Sequence, residues 1–130
     1  MKVIIAGSRG IVPERGRKLL RMGIDIARIY GIEITEVVCG QARAGIDKYT
    51  REWADENHLP VQSLGAGYDT NRAMGGFIRN EELTQYGDAL IAITNGTNGI
   101  AHLIHSAQVK RIPVVVISVG LMCSAIPGWP

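Results

Sequence analysis

Residues 71–83, NRAMGGFIRNEEL, gather Asn71, Arg72, Gly75, Gly76, Arg79, Asn80, Glu81 and Glu82 in an otherwise aliphatic chain. An arginine fork meets a phosphate or carboxylate through two parallel hydrogen bonds, and an asparagine amide reads a base or sugar edge. Gly75 and Gly76 let the chain turn tightly between them. A structural alternative makes Asn80 the cap of a helix whose first turn is acidified by Glu81 and Glu82. That alternative gives no role to Arg79 or to Met74, Gly75 and Gly76, so ligand contact is the reading adopted for Asn71, Arg72, Gly75, Gly76, Arg79 and Asn80.

Three further loops carry related chemistry. GSRG (7–10) offers Gly7, the Ser8 hydroxyl and the Arg9 cation directly after a strand-like run, where glycine backbone and a helix N-terminus attract anions. GQARAG (40–45) has the spacing of a Walker loop, but Ile46 and Asp47 stand where lysine and serine or threonine are required, which rejects a P-loop nucleotidase. Gly40 and Arg43 remain candidates for phosphate or base contact. Asp47 either accepts hydrogen bonds from a ribose or complements the dipole of the helix it begins. NGTNG (95–99) adds Gly96 and the Thr97 hydroxyl, with a plain Asn-Gly turn as its structural alternative. His102 and His105 lie three apart, yet no carboxylate or cysteine is near them in sequence, so no metal and no cofactor is expected.

These loops need elements to hold them. KVIIAG is a β-branched run typical of a strand buried on both faces, and DALIAI reads as a further strand. Pro13 opens a helical stretch to Tyr30, with Leu19, Leu20, Gly23, Ile26, Ala27 and Tyr30 at spacings of three and four and Gly31 as a stop. EITEVVCG, a helix over Ile46–His58 with Trp53 and Ala54 inward, LPVQSL, a helix ending near Tyr86, a helix from Ile100 to Lys110, and PVVVIS complete the alternation. The expected fold is α/β: a Rossmann-like three-layer sandwich of about five parallel strands with helices on both faces. In such a sheet the loops after the strands share one rim, and ligands bind where the strand order reverses.

Composition narrows the function. At 130 residues the chain has room for one domain, taken as 1–119, followed by an apolar tail, 120–130. A net charge of +2, without Lys/Arg runs interleaved with aromatics, argues against a nucleic-acid partner. Cys39 and Cys123 lack disulfide or zinc spacing, and Ser8 and Arg9 interrupt any signal-peptide core, so a cytoplasmic protein is expected. From Ile112 to Pro130 no residue is charged, but Pro113, Gly120, Pro127 and Gly128 spoil a membrane span. No membrane partner is expected; the tail instead implies a homo-oligomer, dimer or tetramer.

Taken in order, IIAGSR, GQARAGID, MGGFIRNEEL and DALIAITNGTNGIAHLI resemble the motifs of the YspA-type branch of the SLOG superfamily, whose relatives include the Smf/DprA proteins and the LOG phosphoribohydrolases. The resemblance spans about residues 2–118. It implies a Rossmann-like sheet, a nucleotide-derived ligand at the strand C-termini and self-association. By motif it carries over Gly7, Ser8, Arg9, Gly40, Arg43, Asp47, Arg79, Asn80, Glu81, Gly96 and Thr97. The LOG-type glutamate after the glycine-threonine turn is replaced, since Asn98, Gly99, Ile100 and Ala101 follow Thr97. Two activities stay open: capture of an ADP-ribose-like or cyclic nucleotide signal, or LOG-like cleavage at an N-glycosidic carbon. Cleavage would use Glu81 or Asp47 as the catalytic carboxylate, with Asp69 a weaker third.

Overall fold

A computed structural model describes residues 1–8, 10–40, 42–63, 80–94, 98–119 and 124–125. Strand and helix alternate as β1 (Lys2–Gly7), α1 (Pro13–Ile29), β2 (Glu36–Cys39), α2 (Ile46–Glu56), β3 (Val61–Ser63), α3 (80–86), β4 (Ala89–Thr94), α4 (Asn98–Val109) and β5 (Val114–Ser118). These five strands are all parallel, in the spatial order β3-β2-β1-β4-β5. Parallel neighbours require a crossover between them, which is the work of the four helices. The Rossmann-like arrangement expected from the alternation is therefore present.

Successive side chains of a strand point to opposite faces, and here both faces are covered. Val3, Ile5, Ile91, Ile93, Val115 and Ile117 join one core with Leu19, Leu20, Ile24 and Ala27 of α1 and Ile46, Tyr49 and Ala54 of α2. Ile4, Ala6, Leu90, Ala92, Val114 and Val116 join the other with Leu83 of α3 and Ile100, Leu103 and Ala107 of α4. This double burial explains why the strands read as unbroken aliphatic runs.

Helix α1 starts at Pro13, whose missing N–H falls where no intrahelical acceptor exists, after an extended Val12. Its inward face matches the expected spacing at Leu19, Leu20, Gly23 and Ala27, adds Gly16 and Ile24, and leaves Ile26 only partly buried. Tyr30, expected inward, is half exposed, because the helix stops at Ile29 and Gly31 turns the chain away at φ +85°. In α2, Ala54 is fully buried and Trp53 half-buried with the Arg28 guanidinium over its ring.

A sixth strand, absent from the sequence reading, lies within the apolar tail: β6 (Ser124–Ala125) pairs antiparallel with β5, Val116 opposite Ser124. Too few residues separate β5 from β6 for a crossover helix, so the return is antiparallel. The uncharged run from Ile112 thus begins as buried strand, and no helix of the described residues is long and apolar enough to cross a membrane.

Gly16 tests the packing between α1 and α2. A Cβ there would lie 2.7 Å from Cδ2 of Tyr49, whose ring cannot swing away because its hydroxyl donates to the Ile11 carbonyl at 3.0 Å. Gly-to-Ala changes inside helices ordinarily stabilise by up to about 1 kcal/mol. Gly16→Ala should instead destabilise by about 1–3 kcal/mol through overpacking; a urea midpoint at or above that of the wild type would refute this packing account.

Candidate functional site

The strand order reverses between β1 and β4: α1 and α2 lead the chain outward on one side, α3 and α4 on the other. Ser8, the first residue past β1, is buried. Its N–H donates to the Ile93 carbonyl of β4 at 3.2 Å, and its carbonyl accepts the Ile46 N–H, the start of α2, at 3.4 Å. One peptide unit on either side of Ser8 therefore links two strands and a helix. Gly7 fits this crossing because a Cβ would stand 2.6 Å from the Ile93 carbonyl oxygen and press on the Ile46 side chain. Its requirement is met by packing alone. Farther along the same loop, the Tyr49 hydroxyl of α2 holds the Ile11 carbonyl.

The loop from β2 to α2 is wrapped around two side chains of the helix it enters. Asp47, 6% exposed, accepts the Ala42 N–H through Oδ2 at 3.2 Å. Arg51 donates to the carbonyls of Gly40 at 3.2 Å and Ala42 at 2.6 Å. An arginine held between two carbonyls turns those oxygens inward and fixes the turn as a charge-assisted clamp. Arg43 is exposed beside it. Burial pushes the Cys39 thiol above its ordinary range, and the Asp47 carboxylate pushes it the same way; Ser63 and Arg51 offset part of the effect.

On the other face, Asn80 at the start of the described part of α3 is 1% exposed. Its Nδ2 donates to the Gly99 carbonyl at 3.1 Å and meets His102 Nδ1 at 2.9 Å. The alternative capping role is not what this side chain takes among the described residues: it reaches across to the first turn of α4. Glu81 is directed further down the same helix. Its carboxylate pairs with Lys110 Nζ at 3.1 Å and accepts from Ser106 Oγ at 3.4 Å. The Lys110 ammonium, by hydrogen bond and charge, holds the Glu81 carboxyl below its ordinary range.

Gly7, Ser8, Gly40 and Asp47 are thus assembled around the N-terminus of α2, and Asn80 sits against the N-terminus of α4. The carboxylates of Asp47 and Glu81 belong to helices on opposite faces of the sheet. Arg9, Asn71, Arg72, Gly75, Gly76, Arg79, Gly96 and Thr97 lie outside the described residues, as does Asp69. Among the described residues no three His, Cys, Asp or Glu side chains gather as metal ligands would. Arg51, Tyr49 and Lys110 were not singled out from sequence. Arginine and lysine on a helix read as solvated charges, and only the partners far along the chain reveal otherwise. A scan of protein-family models found no match to this chain, and searches of curated proteins and of solved structures found none either.

Cys39 reports on the Arg51 clamp. In a Cys123→Ser background, maleimide should label native Cys39 slowly at neutral pH, with full labelling only in denaturant. Because the folded thiol titrates above its unfolded value, the stability it contributes is intact below the unfolded value and is lost as pH rises through the folded one. Arg51→Ala should accelerate native labelling by loosening the Gly40–Ala42 turn. Labelling rates that are fast in the wild type, or unchanged by Arg51→Ala, would contradict the clamp.

Proposed function

We propose that the protein binds a nucleotide-derived ligand, an ADP-ribose-like molecule or a cyclic nucleotide signal, at the C-terminal rim of the sheet, acting as a sensor or a sequestering protein. The observation that carries this reading is the reversal of strand order between β1 and β4, with α2 and α4 beginning on its two sides. Crevices at such reversals receive nucleotides in open parallel sheets. Support also comes from the four segments whose sequences resemble SLOG superfamily motifs, each of which includes or follows a strand in the chain order.

Capture is favoured over cleavage by what the two candidate carboxylates already do. A general base must stand within hydrogen-bond reach of the water it activates. Asp47 gives one oxygen to the Ala42 N–H, and Glu81 pairs with Lys110 and Ser106. The sequence, in turn, has no glutamate in the four positions after Thr97. Self-association, as a dimer or tetramer in the cytoplasm, belongs to the same proposal and rests on the apolar residues of 120–130.

The test is to incubate the purified protein with AMP, ADP-ribose, NAD and cyclic dinucleotides, follow the melting temperature, and identify what is released on heating. A ligand bound only by the native state raises the melting temperature by mass action, about 2.7 kcal/mol of stabilisation at a hundredfold excess over Kd. Intact ligand recovered after release supports capture; free base with ribose phosphate would replace it with the hydrolase reading. Arg79→Ala should abolish the shift without lowering the ligand-free melting temperature. A variant that keeps the full shift would remove Arg79 from the site.

A further inference from the structure

The Asn80 amide is fixed in orientation by its surroundings. It is 1% exposed, and its two N–H groups are directed at the Gly99 carbonyl, 3.1 Å away, and at His102 Nδ1, 2.9 Å away. Turning the amide over would put two oxygens against each other at the Gly99 carbonyl, with no proton between them. The same contact makes His102 Nδ1 an acceptor, so the ring carries its proton on Nε2. Asn80 Oδ1 is left buried without a hydrogen-bond partner. The backbone carbonyl of Asn80 is occupied separately, by the Thr84 hydroxyl at 3.0 Å.

A buried acceptor without a donor is destabilising; Thr50 Oγ1 and Glu52 Oε1 of α2 share that state, but Asn80 is the one among the residues read as ligand contacts. An amide with both donors occupied offers nothing to a phosphate, which presents acceptors only. Building on the proposed ligand reading, we infer that Asn80 determines specificity: its Oδ1 accepts a hydrogen bond from a donor on the ligand, a sugar hydroxyl or an exocyclic amine of the base. Phosphate is held elsewhere on the rim, and the face between α3 and α4 reads the neutral part of the ligand. A site built to accept such a bond rejects an analogue lacking the donor more strongly than an apolar pocket rejects a missing methylene, because the analogue leaves a desolvated oxygen unpaired.

Titration calorimetry with AMP, inosine monophosphate and 2′,3′-dideoxy-AMP separates the two donors. The wild type should bind AMP on the order of 10-fold to 100-fold more tightly than one of the analogues. Weakening confined to the dideoxy compound identifies a sugar hydroxyl; weakening confined to the inosine compound identifies the amine. Asn80→Ala should erase that preference by weakening AMP to the level of the discriminated analogue. Asn80→Ser, which keeps a small donor in this buried place, substitutes if the alanine variant does not show a cooperative melt. Equal binding of all three nucleotides by the wild type, or a preference that survives loss of the amide, overturns the inference and leaves the ligand reading standing. No binding by the wild type of these three nor of ADP-ribose, NAD or cyclic dinucleotides overturns both.

Discussion

The two hydrogen bonds of the Ser8 main chain hold the candidate site together. Through them the end of β1 is tied to the end of β4 on one side and to the first turn of α2 on the other. Both groups are buried, so each bond replaces hydration that the folded chain cannot supply, and leaving either group unpaired costs about 1–3 kcal/mol. The crossing also demands the absence of a side chain at Gly7, since the Ile93 carbonyl and Ile46 occupy that space. A glycine followed by serine after the first strand therefore has a packing cause before any ligand is considered. It follows that the Ser8 N–H is not the anion donor that a phosphate-loop reading of GSRG assumes, because β4 already holds it.

Helix α2 acts on two loops at once. Ile46 and Tyr49 grip the loop after β1, while Asp47 and Arg51 shape the loop after β2. These residues fall at helix positions 46, 47, 49 and 51, so the helix carries contacts inward toward β1 and lateral contacts toward its own entry loop. A shift of α2 would move both loops together. On the proposed reading, two loops tied to one helix leave less ordering to be done when a ligand spans them.

The sequence made the fold legible where periodicity alone decides. Leu19, Leu20, Gly23 and Ala27 marked the inner face of α1, and unbroken aliphatic runs marked strands covered on both sides. Tyr30 was misread because it continues the spacing one step beyond the point where the helix ends. Strand β6 was invisible because two residues pairing with an edge leave no period to detect. The site was legible only as a set of loops. That Asn80 would reach Gly99 and His102, or that Glu81 would pair with Lys110, depends on α3 and α4 lying side by side, a contact between segments some twenty to thirty residues apart. Local spacing offered ligand contact or a cap for Asn80 and a conditional catalytic role for Glu81, but not the partners that α4 supplies to each.

The distribution of charge around the reversal suggests how a nucleotide would lie. Asp47 is buried in the second residue of α2, where a carboxylate already complements the helix dipole and would repel a phosphate placed beside it. The first turn of α4 contains no acidic residue, and Glu81 of α3 is paired with Lys110. Among the described residues, the first turn of α2 thus carries a buried carboxylate and that of α4 carries none, so an anion is disfavoured on the α2 side. On the proposed reading, hydroxyl groups that can donate to a carboxylate lie toward Asp47, and the negatively charged part of the ligand is kept away from it. The same polarity works against hydrolysis by Asp47. On the proposed reading this carboxylate holds a sugar hydroxyl, since its proton-accepting capacity is already partly occupied by its own loop.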